Sequence, residues 1–132
     1  MAAFGGFLTG REAAKYMKIR NHGSIFFTGA TASMRGGSGF AAFSSAKFAL
    51  RAVSQSMARE LGPQGIHVAH FIIDGAIDTA FIKENFPDTY ALKEKDGILQ
   101  PDAIADAYWF VHTQHKSAWT HELDLRPYME KF

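Results

Sequence analysis

Apolar residues recur at helical spacing in some stretches of this chain and run together as strands in others. Over residues 2–19, Phe4, Phe7, Leu8, Ala14 and Met17 recur near 3.6-residue spacing, which predicts a helix. Lys18 and Arg20 stand at its end, where the helix dipole favours cations. Gly5 and Gly6 interrupt it, each at about 1 kcal/mol relative to alanine, or else they mark a face where a second helix comes close. Asn21-His22-Gly23 is a turn, and residues 24–28 form a short buried strand ended by Gly29. Residues 29–41 are rich in Gly, Ala and Ser without a period, so a loop is expected. Ala42, Ala46, Leu50, Val53, Met57 and Leu61 follow at steps of three and four and define a helix over 42–61, closed by Gly62-Pro63. A second strand spans 67–73 and stops at Asp74-Gly75. Residues 78–100 are mixed, with Pro87 and Gly97, and predict a mobile flap holding a short helix. Pro101 opens a helix to about His112, and residues 122–126 alternate as a last strand before Pro127.

Strands separated by helices imply crossover units and a parallel sheet, hence the α/β class with about three strands and helices on both faces. Ligands of such sheets lie beyond the carboxyl ends of the strands. Those ends are residues 29–31, residues 74–79 and Pro127.

Composition narrows the partners. The chain has 132 residues, enough for a single domain over 1–132. Its net charge of +1 lacks the basic footprint of a nucleic-acid binder. It has no cysteine, which excludes disulfides, thiolate metal sites and cysteine nucleophiles. Uncharged stretches reach only about ten residues against the ~20 needed to span a bilayer, and the first ten residues carry no basic leader. No membrane or nucleic-acid partner is expected, and a cytoplasmic location is. Twelve Phe imply apolar surfaces that need cover.

Several motifs in order carry a family resemblance. They are Gly23-Ser24-Ile25-Phe26-Phe27-Thr28-Gly29, the cluster Gly36-Gly37-Ser38-Gly39, and Ala42-Phe43-Ser44-Ser45-Ala46-Lys47-Phe48-Ala49-Leu50. Glu60-Leu61-Gly62-Pro63-Gln64-Gly65-Ile66-His67-Val68, Asp74-Gly75-Ala76-Ile77-Asp78-Thr79 and Gln100-Pro101-Asp102-Ala103-Ile104-Ala105 continue the series. Together they resemble the C-terminal half of the short-chain dehydrogenase/reductase family, a partial Rossmann-like sheet. The resemblance implies an NAD(P)-dependent oxidoreductase acting on a small molecule. In that family a Tyr-x-x-x-Lys pair shares one helix face: the phenol moves a proton, while the lysine holds the cofactor ribose and lowers the phenol pKa.

Here Lys47 occupies the lysine position, but Phe43 stands at the tyrosine and has no proton to give. Thirteen residues earlier, Ala30 replaces the serine that bonds the substrate carbonyl. The first helix offers no asparagine, and Asp74 replaces a turn proline, followed by a matching Gly75. Positioned acid–base groups are worth ~10²–10⁴-fold, so ordinary carbonyl reduction is expected to be severely impaired. Lys47, Gly75, Ile77 and Thr79 are the candidate cofactor contacts by resemblance, for NAD or NADP; Lys47, Phe43, Ala30 and Asp74 mark the catalytic positions. Asp74 is read as an ion-pair partner of Lys47 or Arg35, as an acid, or as a plain turn residue. Thr28, Thr31, Ser33, Ser44 and Ser45 are stand-ins for the missing serine hydroxyl.

No strand–Gly-x-x-x-Gly-x-Gly–helix seat for a pyrophosphate is present. The chain therefore looks like half of a family member, with an uncovered edge at its first strand that invites pairing. His112 and His115 lie i, i+3 but lack an acidic ligand at zinc spacing, so no metal is expected. Helices 2–19 and 42–61 are where the resemblance implies a homo-oligomer. Two functions follow: a divergent or truncated oxidoreductase of this family, or a non-catalytic dimerising or ligand-binding module on the same scaffold.

Overall fold

A computed structural model describes residues 2–132. In chain order the elements are α1 (Ala2–Arg20), β1 (Gly23–Ala30), α2 (Ala41–Leu61), β2 (Ile66–Ile73), α3 (Ala80–Asn85), α4 (Pro87–Tyr90), α5 (Pro101–His112) and β3 (Glu122–Leu125). The strands form one parallel sheet in the order β1-β2-β3, with Phe27 opposite His70, Ala30 opposite Ile73, and Ile73 opposite Leu125. The expected α/β architecture with helices on both faces is present.

Alternation along the strands divides the core between the two faces. Ile25 and Phe27 of β1 and Ile66 and Val68 of β2 pack with Leu50, Val53, Met57 and Leu61 of α2 and with Ala14 and Met17 of α1. The intervening residues, Phe26, Ala69, Phe71 and Ile73, turn to the other face against Ile104, Tyr108 and Val111 of α5. β2, central and covered on both sides, is buried at all eight residues, as a strand of a two-faced parallel sheet must be. Phe71 and Tyr108 stack with ring centroids 3.7 Å apart. Among the described residues no helix is long and apolar enough to cross a membrane.

The first helix corrects its hydrophobic pattern. Phe4 and Phe7 are 67% and 44% exposed, whereas Gly10 and Ala14 are buried. The core-facing side of α1 is Gly6, Gly10, Ala14 and, at its end, Met17. A Cβ on Gly6 would collide with Leu50 Cδ1, and one on Gly10 would come within 2.9 Å of Met57 and 3.0 Å of Phe27. The two glycines exchange helix propensity for close approach, which a periodicity count weighted by side-chain size cannot register.

Strand and loop limits also move. β1 runs on to Ala30 because its backbone pairs with β2 as far as Ile73. A single 3-10 turn, Thr31–Ser33, then follows where loop was expected. Residues 78–100 hold α3, α4 and a further 3-10 turn at Ala91–Lys95 rather than one short helix. β3 stops at Leu125, one residue short, leaving Arg126 in the turn.

Candidate functional site

The carboxyl ends of the three strands gather the candidate residues. α2 starts at Ala41 with no side-chain cap and runs back along the sheet. Phe43 and Lys47, one helical turn apart, share a face, and the Lys47 ammonium lies 5.9 Å from the Phe43 ring centroid. Lys47 Nζ donates to the Thr28 carbonyl at 2.9 Å, at the end of β1. Burial pushes its pKa down from the usual lysine value. Phe43 is 48% exposed, so it is not core packing.

Ala30 ends β1, and its amide donates to Ser33 Oγ at 3.0 Å. The hydroxyls around it are mostly engaged elsewhere. Thr28 Oγ1 pairs with the Tyr108 phenol at 2.8 Å on the α5 face, and Ser45 Oγ donates to the Ala41 carbonyl. Thr31 Oγ1 donates to Asp74 Oδ1 at 2.5 Å. Ser44 Oγ is buried without a hydrogen-bond partner.

Asp74 is 2% exposed and is held from three sides. Besides Thr31, Arg35 approaches both carboxylate oxygens at 3.3 and 3.4 Å, and Arg126 stands 3.7 Å away. Its amide donates to the Leu125 carbonyl at 2.8 Å, which fixes it beside the end of β3. Of the two expected ion-pair partners Arg35 is found; Lys47 is on Thr28 instead. Arg126 was not foreseen. It arrives because β3 runs parallel to β2 and ends level with it, while its own carboxylate partner is Asp124.

Gly75 follows with φ +150°, and a Cβ there would stand 2.8 Å from Pro127 Cδ, so this turn requires glycine. Ile77 forms an isolated parallel bridge with Leu99. The two hydrogen bonds of that bridge use the Ala76 carbonyl and the Asp78 amide, which turns the amide and carbonyl of Ile77 itself away from Leu99. Thr79 caps α3, its hydroxyl accepting from the Ile82 amide at 3.3 Å. A cavity of about 300 Å³ opens between the 31–37 turn and the start of α2, lined by Thr31, Ala32, Arg35, Phe40, Phe43 and Ser44 among others.

Behind the Ala30 turn lies a second polar group. His70 of β2 is fully buried. Its Nδ1 is 3.0 Å from Glu122 Oε2, and Arg51 of α2 donates to both Glu122 oxygens at 2.8 Å. Burial lowers the His70 pKa although Glu122 opposes it. Burial alone would raise Glu122, yet the hydrogen bonds from Arg51 and His70 hold it below the ordinary carboxylate value. Among the described residues, no group of three or more His, Cys, Asp or Glu could hold a metal ion.

A parallel sheet whose strand ends carry a helix-borne lysine and a glycine turn defines a nucleotide-binding α/β fold of the dehydrogenase class. A family model described as short chain dehydrogenase matches residues 1–89, and the chain belongs to that family. The (21S)-21-acetoxyl-apo-melianone synthase of Melia azedarach is 32% identical over 111 residues, 78% of this chain and 40% of that protein. A 3-dehydrosphinganine reductase of Danio rerio is 31% identical over 98 residues, 72% of this chain and 30% of that protein. Among solved structures, a short-chain dehydrogenase from Rhodopseudomonas palustris is 53% identical with a TM-score of 0.75, covering 97% of this chain and 49% of that one. A 7α-hydroxysteroid dehydrogenase complexed with NADH and 7-oxo glycochenodeoxycholic acid shares the fold at 22% identity and a TM-score of 0.80, covering 97% of this chain and 52% of that one. The chain thus spans about half the length of these solved relatives and less of the curated ones.

Proposed function

We propose that this chain forms the substrate side of a divergent NAD(P)-dependent oxidoreductase with little ordinary carbonyl reductase activity as it stands. The observation that carries the reading is Lys47, whose ammonium α2 delivers to the carboxyl end of β1 on the face it shares with Phe43. A cytoplasmic location and a small-molecule substrate belong to the same reading.

The groups at the strand ends fit a nicotinamide nucleoside. Lys47 has three protons and spends one on Thr28, leaving donors for ribose hydroxyls. The amide and carbonyl of Ile77, turned away from Leu99, match the acceptor and donor of a carboxamide. Thr79 keeps its own proton for a phosphate oxygen while it caps α3. A bound nicotinamide supplies two-electron redox chemistry. Phe43 supplies a ring wall and no proton, and Ala30 supplies no hydroxyl to orient a substrate oxygen. Thr31, Arg35 and Arg126 all converge on Asp74, an arrangement that uses the carboxylate as an acceptor. In this reading Asp74 holds the 31–35 turn against the end of β3 rather than donating a proton.

The reading is tested by restoring the two missing groups. Phe43→Tyr with Ala30→Ser should raise turnover of a model ketone by about 10²-fold or more. No gain would show that the pocket has been remodelled beyond those two positions.

The exposure of Phe43, Phe48 and Phe40 at 48, 42 and 59% favours a second reading, a non-catalytic dimerising or ligand-binding module. Phe4, Phe7 and Tyr16 of α1 are exposed as well, so α1 and α2 together offer an apolar surface for a second copy. Sedimentation should then give a dimer that Phe48→Glu converts to monomer; a monomeric parent protein would remove this reading.

A further inference from the structure

We infer that the cavity between the 31–37 turn and the start of α2 receives the carboxylate of a compact apolar acid, with Arg35 as its anchor. Arg35 lines this cavity of about 300 Å³, and its side chain is 44% exposed. It meets Asp74 end-on, through Nη1 at 3.4 Å and Nη2 at 3.3 Å. A guanidinium carries five N–H groups, so three remain, among them the fork formed by Nε and one terminal nitrogen. That fork matches a carboxylate in width and plane. Asp74 does not depend on Arg35 alone, because Thr31 and Arg126 hold it as well.

Two further features of the same cavity favour an anion. Its wall includes Phe40, Phe43 and Ser44, the N-cap and first turn of α2. This helix has no side-chain cap, and its first internal bond runs from the Ser44 amide to the Phe40 carbonyl. The amides of Ala41, Ala42 and Phe43 therefore have no acceptor within the helix, and the positive end of its dipole stands at the cavity. Ser44 is only 7% exposed, and its Oγ has no hydrogen-bond partner.

The remaining walls are apolar. Ala32 and the half-exposed rings of Phe40 and Phe43 form them, while Gly36 and Gly37 add only backbone. One fork among such walls fits a singly charged, planar head with an aryl or branched alkyl body. A phosphate carries more charge on tetrahedral oxygens, and some of those would face aromatic rings unpaired. On the oxidoreductase reading, on which this step alone rests, the substrate is a keto acid. A carboxylate on Arg35 would turn its carbonyl toward Phe43, whose ring lies 5.9 Å from the Lys47 ammonium.

The test is binding of phenylacetate and of neutral phenylacetamide to the 132-residue protein without cofactor, followed by backbone amide NMR. The carboxylate should bind at least about tenfold more tightly than the amide and should shift the amides of Ala41, Ala42 and Phe43. Arg35→Met should bring the two affinities to one value and leave that of phenylacetamide unchanged. Arg35→Lys keeps a cation for Asp74 but has no fork, and should lose most of the preference. Lys15→Met, which removes an equal charge from α1, should keep it. No phenylacetate binding at millimolar concentration, equal affinities in the parent protein, or a preference that survives either Arg35 substitution would overturn the inference. Because no nicotinamide is present, this result and a cofactor titration can fail separately.

Discussion

Arg51 and Glu122 meet through two hydrogen bonds of 2.8 Å each, tying the middle of α2 to the first residue of β3 across 71 positions of sequence. Both side chains are about three-quarters buried, and His70 shares the carboxylate. Arg51→Met should lower unfolding free energy by about 1.5–3 kcal/mol, the worth of hydrogen bonds to charged groups. Urea unfolding of Arg51→Met, Glu122→Gln and the double variant should show a double mutant less destabilised than the sum. Strict additivity would mean that the pair is only a surface contact.

Gly29 should tolerate no side chain. Its Cβ position is taken by His70 and Ser33, so Gly29→Ala should cost about 1–3 kcal/mol by overpacking. Gly36, with no atom within 4 Å of its Cβ position, should change by less than about 0.5 kcal/mol on the same substitution. Equal denaturation midpoints for the two variants would refute the close approach.

Acid should weaken the fold in two stages. The pKa values of His67 and His70 are both depressed by burial, below an ordinary value of 6.5. The unfolded chain therefore binds their protons first, so the stability they confer is present above about 6.5 and is lost as pH falls through their folded-state values. Glu122 is held below 4.5, so its contribution is present above 4.5 and disappears at lower pH still. The urea midpoint should fall on acidification from pH 7, and His70→Asn should flatten the first stage. A midpoint independent of pH between 7 and 5 would contradict the burial of both imidazoles.

Much of the scaffold was legible because its signals are local. The periodicity of Leu50, Val53, Met57 and Leu61 marks α2, and Val68, Ala69, Phe71, Ile72 and Ile73 mark a strand over 67–73 despite His67 and His70. Lys47 and Phe43 could be placed on one face from their spacing alone. Register was not legible. Nothing local puts Arg126 beside Asp74 or Glu122 beside His70; both follow from where β3 lies level with β2. The packing face of α1 was legible only in part: Ala14 and Met17 face the core as their spacing predicts and Gly6 makes the close approach the glycine pair allowed, while Gly10 carried no signal and Phe4 and Phe7 face outward.

The central claim is that Lys47 and the strand ends receive a nicotinamide cofactor, and fluorescence titration of the 132-residue protein with NADPH and NADH tests it most directly. Saturable binding by one of them, weakened at least tenfold in Lys47→Ala with the fold intact by circular dichroism, is the predicted result. No signal at millimolar cofactor, or binding that Lys47→Ala leaves unchanged, would contradict it.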